Sequence, residues 1–334
     1  MKRKIIIGVC LFAALSLTGC KHYAHEVYVS SINGSDENLG TKDSPFKTIE
    51  RANELRNYED TTSFTYYLEG IFEFQEDAGL SFSNNKVIGY GDDNAVLKYS
   101  NQSYAIWLEE TQPTILKNLT ISNVDGCGIS ITTAECYMEN CVVENCINGA
   151  IDVSFDGYLY MKDCTVRNNR RESSGAGIYA DNSAMHLDNC LIINNKIITK
   201  EVGSNGGGIY MRNASERDKR GYVIENCVIS GNEAHNTGGG ICADINAFEE
   251  TKPYTITIKN SKITNNKAYD GGGMVVYEYV TIESEGLSVT DNVATNSGGG
   301  ICLVDNSILA AKGQVLGDVE SSGNTPDQWL TYQR

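Results

Sequence analysis

Beyond its first twenty residues the chain has no apolar run of the roughly 18–20 residues that a membrane-spanning helix needs, which excludes a bundle of membrane-spanning helices. Positive charge is scarce as well: 27 Lys and Arg stand against 43 Asp and Glu, a formal net charge of -16. A surface of that sign repels nucleic acid and anionic membranes, so nucleic acid is not an expected partner. Histidine is rare, with only His22, His25, His186 and His235. His186 lies between Met185 and Leu187 in "AMHLDN" and reads as an outward surface residue rather than a catalyst.

The N-terminus is the one membrane-directed segment. Lys2, Arg3 and Lys4 precede an apolar core from Ile5 to Leu17 and small residues before Cys20, the layout of an export signal. The closing Leu17, Thr18, Gly19 and Cys20 resemble the bacterial lipoprotein lipobox, which implies cleavage after residue 19 and lipidation of Cys20. Acyl chains on that residue would anchor the protein to a membrane. Lys21 does not resemble the aspartate that retains enteric lipoproteins in the inner membrane, so the outer membrane or cell surface is the expected location. Removal of residues 1–19 takes three positive charges and moves the net charge from -16 to -19. Of 11 cysteines, Cys10 leaves with the signal and Cys20 carries lipid; nine remain, an odd number that cannot all pair.

Glycine runs recur through the chain: "GAGIYADN" from Gly175, "GGGIYMRN" from Gly206, "GGGICAD" from Gly238, "GGGMVVY" from Gly271 and "GGGICLV" from Gly298. Aligned on the apolar residue after each run, Ile129, Ile151, Ile178, Ile209, Ile241, Met274 and Ile301 repeat at 22 to 33 residues. Two residues on, Ile131, Val153, Ala180, Met211, Ala243, Val276 and Leu303 are again apolar, a period of two that means β-strand. A second set, including "MENCVVEN", "MKDCTVRN" and "LDNCLIIN", aligns on Asn118, Asn140, Asp163, Asn189, Asn226 and Asn260. Its inward positions fall two before and three after, a gap of five that bends the chain at a residue tolerant of left-handed backbone. Each unit is thus a coil of short strands with an Asn corner and a Gly corner, and the coils stack into a solenoid. A phosphate loop is excluded, because "YMRNASERDKRGYVIEN" continues as strand, polar loop and strand instead of a helix carrying Lys and Ser or Thr.

"VYVSSINGSDENLGTKDSPFKTIERANEL" (residues 27–55), "YYLEGIFEF" and "VIGYGDDNAVL" resemble the opening of right-handed parallel β-helix proteins of the pectate-lyase-like superfamily. The GGGI and Asn repeats are similar to those of chlamydial polymorphic membrane proteins, with Ile or Val in the place of that family's Phe, as in "NCLIINN". Together these resemblances imply an all-β fold, a single-stranded right-handed parallel β-helix of about ten coils. Function does not follow, since the fold hosts lyases, hydrolases, adhesins and inert stalks. In "DSPFKTIERANEL", Ser44 can cap and Pro45 open a short amphipathic helix with Phe46, Ile49 and Leu55 on one face, covering the first coil. The expected organisation is a signal over 1–19, a lipidated tether over 20–26, the β-helix over 27–325 and a C-terminal tail over 326–334.

The outward column of the Gly-run strands carries Asp181, Arg212 and Asp244, with the two carboxylates roughly 10 Å apart at two strand spacings. That spacing is near the range of an inverting carboxylate pair, but the intervening Arg212 makes a surface charge ladder the simpler reading. Tyr179 and Tyr210 stack beside it, a platform suited to sugar rings or to ordinary cross-strand packing. Ligand binding is therefore assigned to Tyr179, Asp181, Tyr210, Arg212 and Asp244. Proton abstraction in a polysaccharide lyase would need a base, with Lys162 and Arg212 as candidates, and a cation such as Ca²⁺. Asp36, Asp92 and Asp93 have Ca²⁺-like composition without EF-hand spacing, and Asx turns explain them equally. No Gly-His-Gly and no paired aspartates within a coil occur. Cys141, Cys164, Cys190 and Cys227 follow the Asn corners in register, and parallel side chains one strand spacing apart form buried free thiols instead of disulfides. The two readings are a monomeric, lipid-anchored, non-catalytic glycan-binding or adhesive surface protein with a polysaccharide or cell-surface partner, or a lyase acting on a uronate-containing glycan.

Overall fold

The computed structural model describes residues 26–55, 64–74, 85–100, 103–109, 113–201, 203–245, 252–306 and 311–333. Residues 1–25, with the signal, Cys20 and nearly all of the tether, lie outside them. The chain winds into one large parallel sheet that closes on itself as a coil with three faces. The first face runs from Glu26–Ser30 and Thr65–Glu69 through Glu135–Glu139, Tyr158–Lys162 and Tyr222–Glu225 to Gln314–Ser322. A second face carries short strands such as Val142–Glu144, Thr165–Arg167 and Leu191–Ile193. The third begins at Tyr104–Glu109, continues through Cys127–Thr132, Ile151–Ser154, Ile178–Asp188 and Ile209–Ala214, and ends at Trp329–Gln333. Among the described residues the one antiparallel strand pairing is the hairpin joining Asp305 to Lys312.

Register follows the aligned columns. Ile129, Ile151, Ile178, Ile209, Ile241, Met274 and Ile301 pair in sequence, and all seven are fully buried. The Asn corners adopt the left-handed conformation the five-residue gap requires, with φ of 54° at Asn118, 52° at Asn140 and 57° at Asn226. Their side chains bond from coil to coil, Asn140 Nδ2 to Asn118 Oδ1 at 2.9 Å and Asn226 Nδ2 to Asp188 Oδ1 at 2.9 Å. In the Gly corners the first and third glycines have separate reasons. Gly206 has φ of 67°, while a Cβ on Gly208 would lie 2.6 Å from the carbonyl oxygen of Gly240 in the next coil.

A second asparagine column, one residue beyond another left-handed corner, carries the core's polar order. Asn169, Asn195, Asn232, Asn266 and Asn292 are completely buried, and Asn324 nearly so. Each Oδ1 accepts the backbone N–H of the residue one coil earlier: Asn195 N to Asn232 at 2.9 Å, Asn232 N to Asn266 at 2.9 Å, Asn266 N to Asn292 at 2.9 Å. Each Nδ2 donates back to a carbonyl of the preceding coil, as Asn232 does to Ile192 at 2.8 Å, and forward to the next amide. The column ends on Gln328, whose Oε1 accepts from Asn324 Nδ2 at 2.8 Å. A parallel sulfur column runs beside it: the amide of Cys141 reaches Cys164 Sγ at 3.4 Å and that of Cys227 reaches Ser261 Oγ at 3.1 Å. All nine described cysteines are buried and free, among them Cys141, Cys164, Cys190 and Cys227, whose in-register geometry disfavours a disulfide.

Two boundaries differ from the sequence reading. The N-terminal helix spans Ile49–Asn53 and is capped by Thr48, whose Oγ1 accepts from Arg51 N, not by Ser44. Asp36 causes the delay, because its Oδ1 accepts from Lys47 N, Thr48 N and Thr48 Oγ1 and so holds the chain extended to residue 48. The covering face is nevertheless as read, with Phe46, Ile49 and Ala52 in the core and Leu55 packed against it. At the other end, the expected tail over 326–334 is corrected as far as residue 333: Trp329 pairs with Ile301 and Leu330 with Cys302 as a further rung. "SSGN" at 321–324 keeps the Asn column in phase there, whereas Trp329 in place of Ile, without a glycine run before it, hides the strand from alignment.

Replacing Asn232 by Ala leaves the Asn195 amide N–H and part of its side-chain NH₂ buried without their acceptor. At about 1–3 kcal/mol for each unsatisfied group, urea denaturation is expected to show a loss of roughly 2–5 kcal/mol. Asn226→Gly, at an exposed left-handed corner, is expected to shift the same transition by less than about 1 kcal/mol.

Candidate functional site

The five residues assigned from sequence do meet on the third face, because Tyr179 pairs with Tyr210 and Asp181, Arg212 and Asp244 occupy successive rungs. Their polar groups bind one another. Arg212 Nε donates to Asp181 Oδ1 at 3.1 Å, and its Nη2 bonds Asp181 Oδ2 and, at 3.2 Å, the Tyr179 hydroxyl. The Tyr210 hydroxyl donates to Asp244 Oδ2 at 2.8 Å. The two rings stack at 5.4 Å and 14°. Arg171, bidentate on Asp152 of the preceding coil, lies over the Tyr179 ring at 5.1 Å. Tyr210 is only 4% exposed. Tyr210 is internal packing, and the partly exposed Tyr179 is stacked on Tyr210 with Arg171 over its ring, so the platform reading of the pair is corrected to cross-strand packing.

The candidate bases are separated. The hydrogen bonds to Asp181 hold the Arg212 guanidinium above its ordinary value, so it stays charged and takes no proton. Lys162 stands on the first face, in register between Glu139 and Asp188, and no carboxylate cluster gathers Lys162 and Arg212 into one site. Asp36 organises its loop as described, and Asp92 and Asp93 sit exposed in the turn before Ala95–Tyr99. Among the described residues no group of three or more His, Cys, Asp or Glu is placed to hold a metal ion. His186 pairs with Glu225 at 2.7 Å and meets the edge of Tyr160, a surface arrangement as expected.

What the structure adds lies two coils earlier. The connection from the second to the third face is short in the coils Asn123 to Ile129 and Asn145 to Ile151, but runs from Asn168 to Ile178 and from Asn194 to Ile209 further on. The longer loops stand above the shorter ones and leave a shelf. A cleft of about 660 Å³ opens at the step, lined by Tyr104, Ile147 and Ile198 with Asp125, Asn148 and Glu172 as its polar groups. Beside the cleft Tyr104 is 41% exposed and Trp107 49%, and at the far corner of the third face, after Ile151–Ser154, Phe155 is 64% exposed. Trp107 leads the outward column that continues through Ser130, Asp152 and Tyr179, so small side chains floor the space between it and the Arg171–Tyr179 wall.

Phe155 is held at φ of 50° and Asp156 at 64°. The two following corners of the same column use asparagine, Asn182 at 46° and Asn213 at 50°. A bulky aromatic in that conformation is strained and is retained where the surroundings hold it. Here Asp156 donates its amide to Asn182 O at 2.7 Å and accepts from Ser215 Oγ, with Arg217 at 3.4 Å. The shelf was missed in the sequence because no glycine run precedes Tyr104–Glu109; alignment of Ile106 with Ile129 would have turned Trp107 outward.

A coil of parallel rungs with exposed loops on one corner defines the molecule as a β-helix solenoid. Residues 14–197, more than half of the chain, match the family model described as right handed beta helix region, and the chain belongs to that family. Residues 226–244 match the Chlamydia polymorphic membrane protein repeat. No curated protein matches the chain. Among solved structures, ORF18 of Geobacillus virus E2 is similar at 11% identity and a TM-score of 0.51 over 99% of this chain; the chain spans 64% of that protein's length. Pectate lyase Pel9A gives 12% identity and a TM-score of 0.48, covering 91% of this chain and 79% of its own. Tailspike protein 3 of bacteriophage CBA120 gives 13% and 0.38, covering 88% and 47%. At these identities the fold alone is shared.

Arg212→Ala breaks a paired, half-buried network and is expected to lower stability by about 1–3 kcal/mol in urea titrations. Tyr210→Phe is expected to lose about 1 kcal/mol. Neither variant is expected to change ligand affinity.

Proposed function

We propose that this is a lipid-anchored cell-envelope protein that binds a glycan on the shelf without cleaving it. The observation that carries the reading is the set of three exposed aromatic side chains along the third face, Tyr104 and Trp107 on one strand and Phe155 at the end of the strand two coils on, with Ser130 and Asp152 between. Sugar rings lay their apolar faces on aromatic rings while their hydroxyls hydrogen-bond to a few placed polar groups, and Asp125, Asn148 and Glu172 stand at the cleft. A strained Phe155 is what such a use would retain. The network from Asp152 to Asp244 acts as a rigid wall beside the ligand. The lyase reading has the fold in its favour, but its two candidate bases stand on different faces and Arg212 is committed to Asp181. The lipobox-like "LTGC" supports anchoring through Cys20, with the outer membrane as the location and a monomer as the form.

Residues 21–334, produced without lipid, are expected to bind at least one member of an immobilised glycan panel. Trp107→Ala and Phe155→Ala are each expected to weaken that binding about tenfold, or ~1.4 kcal/mol. Phe155→Asn is expected to weaken binding while raising stability by about 1 kcal/mol, because asparagine relieves the left-handed strain. Uronate polysaccharides with or without Ca²⁺ are expected to show no rise in the ultraviolet absorbance of unsaturated ends; a rise would establish the lyase.

In cells, full-length protein is expected in the membrane fraction. Cys20→Ser is expected to abolish incorporation of labelled fatty acid and shift the protein to the soluble fraction.

A further inference from the structure

We infer that the first two coils of the solenoid rest on the lipid surface, with Ile32, Leu39 and Ile71 pressed into the headgroup layer; the inference rests on the anchoring reading above. Leu39 is 80% exposed, Ile32 68% and Ile71 50%. Leu39 stands on the loop that covers the outer edge of Glu26–Ser30, where Tyr28 N donates to Gly40 O at 2.9 Å. Ile32 and Ile71 share the corner between the first and second faces: a Cβ on Gly70 would lie 2.9 Å from Ile32 Cγ1, and Ile71 N donates to Ser31 Oγ at 2.9 Å. Beside them on the first face Tyr28 and Tyr67 stack at 4.5 Å and 10°, and Tyr90 meets Tyr28 edge-on at 5.5 Å. These three rings are half-buried. A tyrosine with an apolar ring body and a wet hydroxyl suits the level of lipid headgroups.

Chain length selects the occupant of this patch. The span from Cys20 to Glu26 reaches at most about 20 Å, so acyl chains on Cys20 hold this end of the molecule at the membrane. The last strand of the first face, Gln314–Ser322, lies ten strand pairings further on, roughly 48 Å at the usual spacing. The exposed aliphatics are not a gap in the core's cover, because Phe46, Ile49 and Ala52 are buried beneath the same segment. Charge does not oppose the contact. The covering loop exposes Lys42 and Lys47 against Glu37 and Asp43, and Asp36 is engaged by the amides of Lys47 and Thr48, so the loop lacks the acidic excess of the chain as a whole. Attachment through acyl chains is strengthened by a second contact with the bilayer, and a tethered patch docks intramolecularly, so a few apolar side chains suffice.

The test uses full-length, lipidated protein in phosphatidylcholine vesicles whose acyl chains carry bromine, a quencher of tryptophan emission within the bilayer. Leu39→Trp places an indole at the proposed contact, and Leu316→Trp places one on the far strand, where Leu316 is 51% exposed. After subtraction of the wild-type emission from Trp107 and Trp329, the Leu39→Trp signal is expected to be blue-shifted and quenched at least about twofold, and the Leu316→Trp signal to be unchanged. Adding Ile32→Ser and Ile71→Ser to Leu39→Trp is expected to remove most of that quenching. Circular dichroism of each variant checks that the β-helix is intact. Protein that floats with the vesicles while Leu39→Trp stays unquenched, or is quenched no more than Leu316→Trp, would overturn the inference and leave the anchoring reading standing. Quenching undiminished by the two serines would overturn the assignment of the contact to this patch. Protein that carries no acyl chain and does not float with the vesicles would overturn both readings.

Discussion

One buried amide per coil sets the height of each rung above the last. An asparagine whose Oδ1 accepts the backbone N–H of the coil before it, and whose NH₂ donates both backward and forward, can be satisfied only if the coils stay in register. A slip of one residue in any rung would leave several donors stranded in a dry core, at a cost of about 1–3 kcal/mol each. The column from Asn169 to Asn324 thus makes register cooperative over six coils. The outward-facing residues of these coils inherit their alignment from it. Arg212 reaches Asp181, and Tyr179 meets Tyr210, because the backbone beneath them is indexed coil by coil.

Fixed rungs free the connections to vary. With the strands specified by inward columns and a corner amide, the chain between Asn194 and Ile209 grows to more than twice the length between Asn123 and Ile129 without disturbing either neighbour. Loops on a solenoid lie outside the core and tolerate such insertion. A step in loop length along the axis is all that is required to make a cleft, and the step here falls beside the exposed aromatics. The fold explains why the outward face divides into two kinds of surface. Where Arg171, Tyr179, Arg212 and Asp244 close on themselves, the face is a wall; where Trp107 and Phe155 stand exposed, it is open.

Sequence periodicity revealed the fold almost completely because each strand carries its own inward alternation. Ile129 to Ile301, Asn118 to Asn260 and the thiols from Cys141 to Cys227 all stand where their spacing put them. It failed where a residue's meaning depends on what lies one coil away. The second asparagine column was present as "RNN", "INN", "SGN" and "TNN", three residues beyond Val166, Ile192, Ile229 and Ile263, but nothing local marks an asparagine as buried. Tyr210 looks like a platform in one dimension and is a filled slot in three, because Asp244 captures its hydroxyl and Tyr179 covers its ring. Trp107 and Trp329 were missed for the complementary reason, since their strands keep the register and lose the glycines.

The shelf lies at the place where the amide column begins. Ahead of Asn169 the same position is filled by Cys146 and Val124, both buried, and Cys146 N–H is the first donor the column satisfies, at 2.9 Å. The corners of these coils keep the coil-to-coil backbone bond that the asparagine corners also make, Ile147 N to Val124 O at 2.8 Å as Lys196 N to Asn169 O at 2.9 Å. The amide column thus begins where the connections to the third face lengthen, with asparagine replacing cysteine and valine at a single corner position. Ahead of it the coils hold their register through the backbone ladder and the apolar columns alone, while Trp107 and Tyr104 face solvent on the third face.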